Sequence, residues 1–194
     1  MAPAKRKQRE AHNLDVIQGG NSATEAALAD IPLHPKSFSR DLPVSGAWFP
    51  GDPVGHRKFI NVTDGRPFAL EAGGVLPEVI QAYETWGKLN SDSTNAVLIC
   101  HALTGDSHVS GDSSASHPTK GWWDDIVGSG KAIDTDEFFV VCINVLGGCQ
   151  GSTGPSSLNP VNNRPYGSVF PNITIRDIVR AQVKVADYLG INQW

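Results

Sequence analysis

Apolar positions along the 194 residues fall into distinct textures. Up to about residue 43 they are sparse and follow no sustained period, which predicts a flexible or loosely packed extension over residues 1–45. From Trp48 the string GAWFPGDPVGHRKFINV mixes aromatics with turn residues, in the manner of a strand reached through a loop, and an ordered domain is predicted over 46–194. In FALEAGGVLPEVIQAYETWG two extended runs flank Gly73 and Gly74. The second alternates Val79, Gln81, Tyr83 and Thr85 against Ile80, Ala82 and Glu84, and a hairpin is predicted. NAVLIC (95–100) and EFFVVCIN (137–144) are near-continuous apolar runs of strand length, the pattern of strands buried on both faces in a parallel sheet.

The helical signal is strongest in TIRDIVRAQVKVADYLG, where Ile175, Ile178, Val179, Val183, Ala186 and Leu189 recur at helical spacing. Thr174 and Asp177 resemble a capping box and Gly190 suits the C-terminal cap, so a helix is predicted over 175–189. HPTKGWWDDIVGSGKAIDTD, between the two apolar runs, is broken by glycines and leaves room for a short helix or a few turns around Trp123 to Val127. Strand, loop, strand, helix in that order predicts an α/β sheet with right-handed crossovers.

Composition, 40% apolar and 19% charged, fits one ordinary globular domain. The net charge of -4 provides no broad positive field, which disfavours nucleic acid and anionic membrane as partners and points to a small substrate. No apolar stretch approaches the roughly 20 residues that span a bilayer. Three cysteines without CxxC spacing and no secretory leader argue against a disulfide framework or zinc knuckle, and a cytoplasmic location fits best. MAPAKRKQRE is read as a solvated basic tail, a nuclear or transit signal being the weaker alternative.

Ligands of open α/β sheets bind at the carboxyl ends of strands, and here the two buried runs empty into HALTGDSH and NVLGGCQGSTGPSSLNP. Small residues from 147 to 157 let backbone amides approach a ligand closely. Thr104, Gly105, Asp106, Asn144, Gly147 and Gly148 are the candidate substrate-binding residues, with Thr153 and Ser156 at the pocket mouth; structural loop bonding is the alternative for each. His101, His108 and His117 with Asp106 and Asp112 invite a metal reading. Their spacings fit neither a helix-face pair nor a compact zinc motif, so no metal is expected. His101 is read as a hydrogen-bonded loop residue rather than a base, and Cys149 as a packed small side chain. Trp122 and Trp123 are read as closing a core edge rather than walling a tunnel, and Arg176, Arg180 and Lys184 as a solvated helix face.

AYETWGKLN, HALTGDSHV, NVLGGCQGSTGPSS and ITIRDIVRAQ, in this order, resemble the homoserine O-acetyltransferases, an α/β-hydrolase-fold family of methionine biosynthesis. The resemblance runs from about residue 48 to 190. It implies an incomplete α/β-hydrolase fold holding the first strands, the oxyanion loop and the first long helix. It also implies ping-pong transfer, in which an activated serine takes acetyl from acetyl-CoA, a co-substrate rather than a resident cofactor, and passes it to the hydroxyl of L-homoserine. By the same resemblance the backbone N–H of Leu103 is one oxyanion donor, and the other follows the nucleophile. No G-x-S-x-G elbow occurs in the 194 residues, so the Ser/Asp/His triad has no assignable members and the chain alone is expected to be inactive. The missing neighbour of the 95–100 strand would leave an apolar edge, and poor solubility or oligomerisation is expected. Expected partners are small molecules, with a homodimer in the complete protein. A succinyl- or serine-specific relative, a hydrolase of the same fold and a non-catalytic binding or assembly module are the alternatives.

Overall fold

The computed structural model describes residues 47–63 and 65–194, and the predicted extension lies outside them. Its main sheet runs in the order β1 (Lys58–Asn61), β4 (Ile80–Trp86), β8 (Phe139–Ile143), β5 (Ala96–Ile99). β4 pairs antiparallel with β1 and with β8, placing Tyr83 opposite Lys58 and Ile143. β5 pairs parallel with β8, Ala96 beside Phe139. The sheet is therefore mixed, parallel only where a long connection returns the chain in the same direction.

β8 meets the expectation of burial on both faces, because alternate residues enter different cores. Val141 and Ile143 pack with Val62, Leu76, Val79, Tyr83, Ala181 and Val185. Val140 and Cys142 pack with Ile99, Val109 and Val127. β4 is central too. Its alternation does not produce a wet face, since Gln81, Ala82, Tyr83 and Glu84 are all buried.

The predicted hairpin exists but is shorter than expected. β2 (Phe68–Ala69) pairs with β3 (Val75–Leu76) around Gly73 and Gly74, both at positive φ. Pro77 lacks an N–H to continue the ladder, and the run from Ile80 joins the main sheet instead.

The helix α1 (Ile175–Leu189) occupies the predicted span. Thr174 and Asp177 form a reciprocal capping box, and Gly190 closes the far end at φ 71°. Ile178, Ala181, Val185 and Leu189 face the first core, while Val179 and Val183, expected on that stripe, are about half exposed and Ile175 more so. Asp177 is fully buried and accepts the N–H of Glu71 at 3.0 Å. Arg176 pairs with Glu71 at 2.6 Å, and Arg180 donates to the Ala69 carbonyl at 2.6 Å and lies 5.0 Å over the Phe68 ring. The arginines remain on a solvated face, as expected, and from it also tie α1 to the β2–β3 hairpin.

No helix forms around Trp123 to Val127. The segment turns into β6 (Val127–Gly128), which pairs parallel with β7 (Ile133–Asp134). β9 (Leu158–Asn159) and β10 (Arg164–Pro165) form a second small hairpin. Among the described residues no helix is long and apolar enough to cross a membrane, and the three cysteines are unpaired.

Candidate active site

Because β5 and β8 run parallel, their carboxyl ends lie side by side and release their loops over the same end of the sheet. The two loops enclose a cavity of about 350 Å³, lined on one side by His101, Leu103 and Gly105 and on the other by Asn144, Gly147, Gly148 and Cys149. The Leu103 side chain is fully exposed (101%), and its N–H donates to no other described residue. Gly105 N–H closes a turn onto the Ala102 carbonyl at 2.9 Å.

His101 is engaged at both ring nitrogens. Its Nε2 accepts the Val145 N–H at 3.3 Å, which leaves the proton on Nδ1 to be donated to the Ala102 carbonyl at 2.8 Å. It ties the two loops together. On the far wall Gly147, at φ 87°, passes so close to Ile173 that a Cβ there would lie 2.5 Å from its Cδ1.

Other candidates lie elsewhere. Thr104 and Asp106 do not line the cavity. Asp106 caps the His108 N–H at 2.9 Å and faces Arg57 at 3.9 Å. Thr153 and Ser156 line a separate cavity of about 310 Å³ beside Trp48 and Phe59. Cys149 is exposed rather than packed, because the loop presents it at the cavity rim. Trp122 and Trp123 pack on each other with centroids 5.1 Å apart but stay partly exposed, and neither closes a core edge nor walls the cavity. The Trp122 indole instead donates to the Asp106 carbonyl at 2.9 Å, bracing the first loop.

Beneath that loop the fold assembles a polar cluster in which His108 and His117, singled out in the sequence, meet Glu84 and Ser107, which were not. Glu84, on β4, is 1% exposed. Its Oε1 accepts the Ser107 hydroxyl at 2.8 Å, and its Oε2 lies 3.1 Å from His108 Nδ1. His117 Nε2 lies 3.6 Å from Oε1. Burial pushes the Glu84 carboxyl up, but the hydrogen bond from His108, the charge of His117, the Ser107 bond and the His108 charge outweigh it and hold it below the usual range. Burial likewise opposes the charge on His108, yet Glu84 raises its pKa above the ordinary value. Burial, helped by Arg57 and His108, pushes His117 down to about 4.

Glu84, His108 and His117 are also a composition that could ligate a metal. The geometry does not fit one. The two imidazoles stack with centroids 3.8 Å apart and planes 10° apart, and no ion can lie in the plane of both rings from that pose. Aspartates Asp106 and Asp112 and the more distant His101 are not part of the cluster.

The sheet order β1-β4-β8-β5, with paired loops enclosing a cavity at the carboxyl ends of β5 and β8, places these residues in the α/β-hydrolase class. Solved structures agree. Esterase E22 matches 70% of this chain at TM-score 0.62 and 36% identity, and homoserine O-acetyltransferase from Bacillus anthracis matches 70% at 0.62 and 34%. They are covered to 38% and 37% of their own length. Over the matched residues the chain is homologous to the homoserine O-acyltransferases. The homoserine O-acetyltransferase of Thermobifida fusca is 58% identical over 153 residues, and that of Symbiobacterium thermophilum 55% over 138. The homoserine O-succinyltransferase of Alkalilimnicola ehrlichii is 50% identical over 145 residues. These matches cover 79%, 71% and 75% of this chain but 40%, 36% and 38% of the relatives, so the chain spans about two fifths of their length. No family model matches the chain.

Proposed function

We propose that these residues form one half of the active site of an O-acyltransferase that moves acetyl from acetyl-CoA to the hydroxyl of L-homoserine. The observation that carries this reading is the cavity at the ends of β5 and β8, where Leu103 offers an N–H that no described residue accepts. An amide held at the mouth of such a cavity stabilises the oxygen that becomes negative when an acyl carbonyl is attacked. Gly105, Asn144, Gly147 and Gly148 shape the acyl and acceptor pocket on this reading. Asp106 supports the loop from behind, through the His108 N–H and Arg57.

The nucleophile, base and orienting acid are assigned to sequence outside these 194 residues, where an elbow serine would face Leu103. The acceptor and donor are small molecules, acetyl-CoA is consumed as co-substrate, and a cytoplasmic homodimer is the expected setting. Thiol release from acetyl-CoA, with and without homoserine, tests the reading in this chain and in a version extended past Trp194. Homoserine-dependent release confined to the extended version is expected. No release from either would overturn it.

A second reading has a specific support, the likeness to a protein named an esterase. Water replacing homoserine would make the same half-site hydrolytic. Acetate formation at equal rate with and without homoserine would favour it, and faster turnover of succinyl-CoA would move the donor to succinyl.

A further inference from the structure

We infer that Glu84 and Ser107 are positioning residues that set the height of the oxyanion loop, an inference that rests on the acyl-transfer reading. A carboxylate at the centre of a sheet is costly to bury and persists only where donors compensate it. Glu84 spends that compensation on the loop. Its Oε1 takes the Ser107 hydroxyl at 2.8 Å, and Ser107 Oγ in turn accepts from Asn144 Nδ2 at 3.0 Å. Asn144 Oδ1 accepts the Ser107 N–H at 2.8 Å, while its Nδ2 also donates to the Gln150 carbonyl at 2.7 Å.

One buried carboxylate thereby reaches both walls of the cavity, because Asn144 directly follows β8 and opens the second loop. Ser107, Glu84 and Asn144 are all within 2% of full burial, so water does not compete for these bonds. The segment between His101 and Ser107 closes one turn of its own, Gly105 N–H to Ala102. It is otherwise held towards its two ends, by Val145 on His101 and by Glu84 and Asn144 on Ser107, with Asp106 next to Ser107 braced further by the Trp122 indole and by Arg57. The Leu103 amide sits between those clamps. Oxyanion donors work by being in place before charge develops, so the clamps matter to rate more than to substrate affinity.

The test compares Ser107→Ala, Glu84→Ala and Glu84→Gln. Millisecond hydrogen exchange read by mass spectrometry follows the amides of 101–108 against those of β4 and β8, which requires no catalysis. Ser107→Ala is expected to lower protection in 101–108 about tenfold with the strands unchanged. In the complete active protein kcat should fall about 10- to 100-fold, less than the roughly 10²- to 10³-fold of a donor removed outright because the amide is displaced and not lost, with KM changing less than about twofold. Glu84→Gln keeps an acceptor oxygen for Ser107 and should recover most of what Glu84→Ala loses. Equal loss of protection in loop and strands, an unchanged loop, or a KM rise without a kcat fall would each overturn the inference. Loosening confined to the loop, in a protein without acyl transfer, would uphold the clamp and refute the acyl-transfer reading instead.

Discussion

The imidazoles of His108 and His117 lie face to face, 3.8 Å between centroids, against the single carboxylate of Glu84. Only one of the two rings is stabilised as a cation. His108 has its pKa raised through the Glu84 bond, whereas burial and the charges of Arg57 and His108 push His117 down to about 4. Between pH 6.5 and about 4 the unfolded chain takes up a proton at His117 that the fold refuses, so this group makes stability fall as pH falls through that window. His108 runs the other way: its contribution is complete below 6.5 and is lost as pH rises through its elevated value. Denaturant midpoints at pH 7, 6 and 5 should drop less steeply for His117→Asn than for the parent. Identical slopes would contradict the assignment of His117 as neutral.

In the proposed acyl transfer Leu103 supplies backbone, not side chain. Leu103→Pro removes the N–H and should cut acyl transfer by the complete protein about 10²- to 10³-fold. Leu103→Ala keeps the N–H and should lose far less, its side chain being in solvent. Equal losses in kcat for the two variants would mean the amide is not the working group.

The N-terminus of α1 is the polar anchor of the β2–β3 hairpin, beside the burial of Phe68, Leu70 and Leu76. Asp177 accepts from Thr174 N–H at 2.9 Å and from Glu71 N–H at 3.0 Å, and it also pairs with Arg180. Thr174→Ala should cost about 1 kcal/mol, the ordinary value for a lost N-cap. Asp177→Ala leaves several groups without partners and should cost about 2–3 kcal/mol, measured by urea denaturation. A smaller effect for Asp177 than for Thr174 would show that the hairpin is held elsewhere.

Gly147 is where the second loop passes Ile173 most tightly. Gly147→Ala combines a positive φ with a Cβ 2.5 Å from Ile173 Cδ1, so it should destabilise by about 1–3 kcal/mol. Gly130→Ala, also at positive φ but with open space around it, should cost less. Matching thermal midpoints for the two would remove the packing part of the argument.

The parts of the fold written in local chemistry were readable directly. Thr174, Asp177 and Gly190 announce both ends of α1, and the apolar runs around Val97 and Val141 announce their strands. Leu103, Gly105, Asn144, Gly147 and Gly148 reach the cavity because each follows such a run at the sheet's carboxyl end. Thr104 and Asp106 fall away from it, since neighbours in a tight turn do not share one direction. Glu84 was invisible as a partner of Ser107, His108 and His117, which lie 23 or more positions further on and meet it only once β4 is enclosed. Val179 and Val183 misled because a helix with apolar residues on two faces does not say which one turns inward.

The insertion of β8 between β4 and β5 sets an order for synthesis. As the nascent chain leaves the ribosome, β1 and β4 can pair at once, but Ala96–Ile99 has no strand to join until Phe139 has been translated. Through that interval a short, sticky ribbon stands unclaimed, and a chaperone or a slower rate of elongation would matter there more than at any other point in the described chain.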